Sequence, residues 1–125
     1  MIWTLTQVAI GGALGAVARF LTGMGVAAAL GTGFPYGTAI VNITGSFAMG
    51  ALFVFLNDRG LMHHAPLVLA GMLGGFTTFS AFSLEAFTLW ERSGVLLASV
   101  YVLGSVALSI AALALGIITM RGAGG

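Results

Sequence analysis

Four long apolar segments make up most of this chain and leave little choice about how it can fold. They cover about residues 2–30, 38–56, 67–90 and 95–120 and are separated by short runs of turn-forming or charged residues. A helix needs roughly 20 apolar residues to cross a bilayer, and each segment is long enough. The apolar residues run continuously instead of alternating, which disfavours a membrane β-barrel. We therefore predict a single all-α integral membrane domain over residues 1–125 with four transmembrane helices.

The charged residues are too few for a water-soluble domain, and their pattern excludes several classes of function. Four basic and three acidic side chains in 125 residues leave a net charge of +1 and cannot coat a soluble surface of this size. No basic cluster occurs, which argues against nucleic acid as a partner. The chain has no Cys and no nucleotide-binding or zinc-protease motif. Four spans leave no room for a soluble catalytic domain, so we expect no enzyme activity and place the function among the helices.

Small residues recur four positions apart in three of the segments. The pairs are Gly11 and Gly15, Ser46 and Gly50, and Gly71 and Gly75. This spacing lets two helix backbones approach closely in lipid, so we expect close helix packing at these positions.

The third segment carries the most informative residues. Adjacent glycines and a Thr pair are poor helix formers, and they predict a break near Gly74–Thr78. Irregular backbone at membrane depth persists where it is buried in protein or lines a cavity, and broken helices often hold ions. After the break come Phe79, Phe82 and Glu85, which are spaced three residues apart and so lie on one helix face. Packing against lipid or core is the commoner role of two Phe residues in a membrane helix, and Glu85 could be an interfacial residue near the helix end.

Polar side chains recur every four residues in the second and fourth segments, so each set lies on one helix face. The second segment carries Thr38, Asn42 and Ser46, and the fourth carries Tyr101, Ser105 and Ser109. Each set could be a hydrogen-bonded packing seam, but polar faces on several helices together favour a narrow passage. Hydroxyls, an amide and the partially positive edges of Phe rings could accept a small dehydrated anion. These residues therefore favour a small polar ligand, and an anion in particular.

Arg19 is the one charged residue in the first segment. If that helix starts near Ile2, Arg19 lies roughly 25 Å along it, near the far end. The side chain could extend to the membrane interface, or it could place a cation at the mouth of an anion pathway. The sequence leaves these two interpretations open.

The positive-inside rule predicts almost no preferred orientation for the chain. The side of the membrane that holds the N-terminus would also hold Arg59 and Arg121, whereas the other side would hold Arg92, with Arg19 leaning toward it. Two arginines against two leave an orientation bias near zero. We therefore expect molecules to insert both ways and to pair antiparallel.

Three blocks of residues resemble the Fluc/CrcB family of fluoride channels. They lie at residues 11–20, 37–50 and 74–85, and the third, GGFTTFSAFSLE, is very specific. Length, number of spans and block order agree with the family, so the resemblance covers essentially the whole chain. Two departures are Ala81, where a Thr is more usual, and Leu113, where some members carry a hydroxyl.

The resemblance implies an antiparallel, dual-topology homodimer in a bacterial cell membrane, with two narrow pores that export cytoplasmic fluoride passively and so relieve its toxicity. It also implies a structural sodium ion that is not transported, held at the dimer centre by the backbone carbonyls of Gly74 and Thr77 of each subunit. The ring edges of Phe79 and Phe82 would face fluoride, and Arg19 would lie in the vestibule. The remaining pore-associated residues that the resemblance implies are Asn42, Ser80, Glu85, Tyr101, Ser105 and Ser109.

Two other classes of membrane protein remain as alternatives. A small dual-topology multidrug exporter needs a membrane-embedded carboxylate in its first helix, whereas the first helix here carries Arg19 and no acid. A non-conducting assembly subunit would explain the glycines but not the aligned polar faces.

Overall fold

The computed structural model describes residues 1–124 and contains four helical segments that are long and apolar enough to cross a membrane. Helix α1 is Ile2–Leu30, α2 is Tyr36–Asp58, and α4 is Val95–Gly124, while the third span, Met62–Ser93, is composite. No strand occurs among residues 1–124. The prediction of an all-α membrane protein with four spans is therefore confirmed. Gly125, the last residue of the predicted domain, lies outside the described residues.

The third span is interrupted, as the glycines and threonines predicted. A 3₁₀ turn at Met62–His64 leads into a π-helix at Pro66–Leu73, which one α-helical turn, Gly74–Phe76, continues. We call residues 66–76 helix α3a. Thr77 is extended, with φ −82° and ψ 159°, and helix α3b then runs over Ser80–Ser93. The π-helical stretch was not predicted, because the apolar residues there suit α- and π-helices alike.

Glycines end α1 and α3b. Gly31 and Gly94 have φ of 82° and 92°, a backbone conformation that L side chains rarely adopt. Each donates its backbone N–H, at 2.9 Å, to a carbonyl of the last helical turn, Ala27 in α1 and Trp90 in α3b. The turns after these glycines return the chain into the bilayer.

The α1 and α3a helices cross with their backbones in direct contact. A Cβ atom on Gly11 would lie 2.3 Å from the carbonyl oxygen of Leu67, and one on Gly15 would lie 2.0 Å from that of Met72. A Cβ on Gly75 would lie 2.6 Å from the carbonyl oxygen of Gly12. These distances leave no room for a side chain, so the predicted close packing at the small residues is confirmed here.

Helices α2 and α4 make a second crossing of the same kind. A Cβ atom on Gly50 would lie 2.2 Å from the carbonyl oxygen of Leu113, and one on Gly116 would lie 2.2 Å from that of Phe47. The chain thus has two helix pairs, α1 with α3a and α2 with α4, each joined through backbone. Gly116 was not singled out from the sequence, although Ala112 lies four residues before it.

The outer surface is apolar, as a bilayer requires. Large hydrophobic side chains such as Leu14, Phe53, Leu103 and Ile118 are exposed on α1, α2 and α4. The buried core is small in comparison and centres on Phe82, Leu89 and Tyr101. An apolar exterior around few buried side chains is stable in lipid and not in water.

Candidate functional site

An open groove of about 430 Å³ lies beside the break in the third span. Its walls come from α2, from the break with the start of α3b, and from α4. Among the residues singled out from the sequence, it is lined by Asn42, Gly74, Thr77, Phe79, Phe82, Ser105 and Ser109. Ser46 lines it as well. Polar faces on two helices therefore meet the broken helix in one place.

Other predicted residues lie outside the lining of this groove. They are Arg19, Ser80, Glu85 and Tyr101. Ser80 is exposed, and its Oγ lies 3.4 Å from Oγ1 of Thr78 at the break. Leu113 lines the groove together with Met49, Val106 and Ile110, so part of its wall is apolar.

The side-chain amide of Asn42 is bound to the backbone of the break. Its Nδ2 donates to the carbonyl oxygen of Thr78 at 2.8 Å, and the backbone N–H of Thr78 donates to its Oδ1 at 2.8 Å. The amide takes the place of a peptide group and satisfies both backbone polar groups of Thr78. The sequence placed Asn42 on a polar helix face but gave no sign of this partner.

Backbone carbonyls at the break, those of Gly74 and Thr77 among them, are released from the helical hydrogen-bond pattern. In a continuous α-helix, the amides of Thr78 and Ala81 would donate to the carbonyls of Gly74 and Thr77. Here the Thr78 amide donates to Asn42, and the Ala81 amide donates to Oγ1 of Thr78 at 3.2 Å. The hydroxyl of Thr77 donates back to the carbonyl of Leu73 at 2.9 Å.

Arg19 also contacts the break, which corrects its expected position. Its Nε donates to the carbonyl oxygen of Gly75 at 3.4 Å. The expectation that Arg19 lies near the far end of its helix is wrong, because α1 continues to Leu30, beyond the length a bilayer needs. The guanidinium therefore lies beside the interrupted helix, where it also lines a cavity of about 350 Å³ with Thr38 and Val41.

The two Phe residues are in contact but differ sharply in burial. Their ring centroids are 5.4 Å apart with an interplanar angle of 65°, an edge-to-face arrangement. Phe82 is 6% exposed and packs on Tyr101, with centroids 5.2 Å apart, whereas Phe79 is 75% exposed. Phe82 is thus part of the core of one chain, and Phe79 points away from it.

A second polar cluster lies on the other side of Phe82. Oγ1 of Thr38 donates a hydrogen bond to Oε1 of Glu85, which joins α2 to α3b. Tyr101 is 1% exposed and packs edge-on against Phe34, and its hydroxyl has no hydrogen-bond partner among residues 1–124. Thr38 and Glu85 line a cavity of about 310 Å³. The four-residue spacing of Thr38 from Asn42 was the sequence signal that could have placed Thr38 among the site residues.

The fold and the site together define a class of protein: a small multi-pass membrane protein whose third span is interrupted beside a groove lined by polar and aromatic side chains. A family described as CrcB-like protein, Camphor Resistance (CrcB), matches residues 6–117. The chain belongs to this family. The resemblance of the three sequence blocks is thereby confirmed.

Several relatives match nearly the whole chain. A Ruegeria sp. (strain TM1040) protein is 56% identical over 123 residues, covering 98% of each chain. A Paracoccus denitrificans protein is 55% identical over 119 residues, covering 95% of each. A Magnetococcus marinus protein is 48% identical over 119 residues, covering 94% of this chain and 97% of the relative. All three relatives are named fluoride-specific ion channel FluC.

Proposed function

We propose that this chain is a fluoride-specific ion channel that lets fluoride leave the cytoplasm passively, and that it is not an enzyme. The observation that carries the proposal is the groove in which Asn42, Phe79 and Phe82 meet the hydroxyls of Ser105 and Ser109. Relatives that match almost the full length bear the name of such a channel. Passive export would relieve fluoride toxicity.

The chemistry of the groove supports a small anion. The groove lining contains no charged side chain among the described residues, so nothing there would repel an anion or bind it too tightly to leave. Hydroxyls and ring edges offer partial positive charge in place of water. The α1 helix carries Arg19 and no carboxylate, which disfavours an exporter that exchanges protons for cations.

The open side of the groove supports a second subunit. One chain encloses the groove incompletely, and Phe79, at 75% exposure, is available to a partner. An antiparallel homodimer would close two such grooves, one for each chain. Glu85, Tyr101 and Ser80 would extend the pathway beyond the groove, with Arg19 at its vestibule.

The break supports the proposed structural sodium ion. The carbonyls of Gly74 and Thr77 are the ones whose usual helical donors are bound elsewhere. They are hard, neutral oxygens and fit an alkali cation better than zinc. When bound, the ion would neutralise the exposed carbonyl dipoles at the end of α3a; Gly74 and Thr77 from two chains would hold it.

Fluoride release from liposomes tests the proposal. Purified protein in liposomes loaded with fluoride should release it passively and should retain chloride. The matched control is Thr44→Val, since Thr44 is exposed and its hydroxyl bonds only within α2, to Ile40 and Val41. That variant should release fluoride at the wild-type rate. Equal chloride release, or transport that requires a proton gradient, would overturn the assignment as a selective channel.

A further inference from the structure

We propose that Asn42 and Thr78 form a polar clamp that holds the third span broken and so sets the direction of the Gly74 and Thr77 carbonyls. The inference rests on the proposed sodium site. It assigns Asn42 and Thr78 as positioning residues: the clamp acts on the cation through the backbone, not by direct contact. The role of Asn42 in the clamp is distinct from any contact it makes with an anion in the groove.

The first part of the clamp is the pair of hydrogen bonds between Asn42 and Thr78. Both are 2.8 Å long, and together they use the amide oxygen and one N–H of Asn42. Unpaired backbone groups at membrane depth are costly, so without Asn42 the Thr78 amide would seek another acceptor. In an unbroken helix, that acceptor is the carbonyl of Gly74.

The second part is the hydroxyl of Thr78, which lies two residues before Ser80, the first residue of helix α3b. Its Oγ1 accepts the amide of Ala81, three residues ahead, at 3.2 Å, which is the spacing by which a capping side chain binds an amide of the first helical turn. Without this hydroxyl, the Ala81 amide would turn to the carbonyl of Thr77. Each member of the clamp therefore removes the donor of one carbonyl, and the two carbonyls affected are the proposed ligands.

Helix α2 also provides the space that the break needs. Gly45 lies three residues after Asn42 on the same face of α2. A Cβ atom there would lie 2.5 Å from Cγ2 of Thr77. The methyl group of Thr77 thus occupies the position that a side chain at Gly45 would take, while the Asn42 amide holds the next residue.

Sodium binding to the purified protein tests the clamp. The thermal unfolding temperature should be measured against sodium concentration, with N-methylglucamine as the replacement cation. Sodium should raise this temperature for the wild type. In Asn42→Leu and Thr78→Val, the sodium concentration giving half of the rise should increase at least tenfold, whereas Thr78→Ser and the control Thr44→Val should resemble the wild type.

Backbone hydrogen exchange over residues 77–81 provides a readout of the break that does not depend on sodium or on fluoride flux. In sodium-free buffer, Asn42→Leu and Thr78→Val should alter the exchange of the Thr78 and Ala81 amides, and Thr78→Ser should not. If the unfolding temperatures of Asn42→Leu and Thr78→Val both depend on sodium as that of the wild type does, the clamp is overturned. No sodium effect in the wild type would instead refute the sodium site, and unchanged exchange in both variants would refute the clamp independently.

Discussion

Nε of Arg19 lies 3.4 Å from the carbonyl oxygen of Gly75, so the only charged side chain of α1 is bound to the end of α3a. The last carbonyls of a helix carry partial negative charge, and a cation there is stabilising. Arg19 therefore links two spans as well as supplying positive charge beside the break.

The first prediction concerns this link. Arg19→Gln should lower the free energy of unfolding by about 1.5 kcal/mol, the lower end for a hydrogen bond from a charged group, because the 3.4 Å contact is long. Arg19→Lys should lower the free energy of unfolding by less, because lysine keeps the positive charge. Thermal unfolding in detergent would measure both variants. Equal stability of Arg19→Gln and the wild type would show that the contact with Gly75 contributes nothing to folding.

The second prediction separates the two Phe residues. Phe79→Ile and Phe82→Ile should both reduce fluoride flux, because each removes a ring edge from the groove. Only Phe82→Ile should also destabilise the chain, by about 1–3 kcal/mol, since Phe82 is buried against Tyr101 and Phe79 is 75% exposed. Liposome flux and thermal unfolding would be measured on the same preparations. Normal flux through both variants would contradict the pore assignment.

The third prediction tests the crossing of α2 and α4. Gly50→Ala should destabilise the protein by about 1–3 kcal/mol, because the new methyl group would overlap the carbonyl of Leu113. Gly104→Ala is the matched control in α4, where a Cβ would meet nothing within 4 Å, and Ala favours a helix over Gly by about 1 kcal/mol. The unfolding temperature should therefore fall in Gly50→Ala and rise in Gly104→Ala. An equal loss of stability in the two variants would argue against the crossing.

The fourth prediction is dual topology. With Arg19 at the break, the loop and terminal arginines are Arg59 and Arg121 on one side and Arg92 on the other, a difference of one. So small a bias should leave both orientations populated. Reporters fused to the C-terminus, each active on one side of the membrane, should both give signal, and two Lys added between residues 59 and 66 should silence one. Signal from a single reporter in the native chain would rule out the antiparallel pair.

The spans and the break could be predicted from sequence because both depend on local properties. Apolar length sets the spans, and the weak helix propensity of residues 74–78 sets the break. The π-helix at Pro66–Leu73 could not be predicted, because its apolar residues suit α- and π-helices alike. Arg19 was expected near the far end of α1 because only the roughly 20 residues needed to cross a bilayer were counted, whereas the helix runs on from Arg19 to Leu30.

The candidate site, too, could be predicted from the sequence only in part. Four-residue spacing grouped Ser105 and Ser109 on one face of α4, and both line the groove. Tyr101, one turn earlier, lies instead behind Phe82 in the core. The hydrogen-bond partners of Asn42 and Thr38 depend on how three helices are placed relative to one another. The periodicity of residues within one helix carries no information about that placement.

The two glycine crossings have a consequence for how such a chain can change over generations. At Gly15, Gly50 and Gly116, the opposing surface is peptide backbone, which is the same whatever residue occupies the facing position. No compensating substitution on the neighbouring helix can therefore make room for a larger residue. Glycine is also the smallest residue, so variation at these positions can only separate the helices. Random mutagenesis with selection for fluoride resistance should thus recover changes on the lipid-facing surfaces and leave these crossings as glycine.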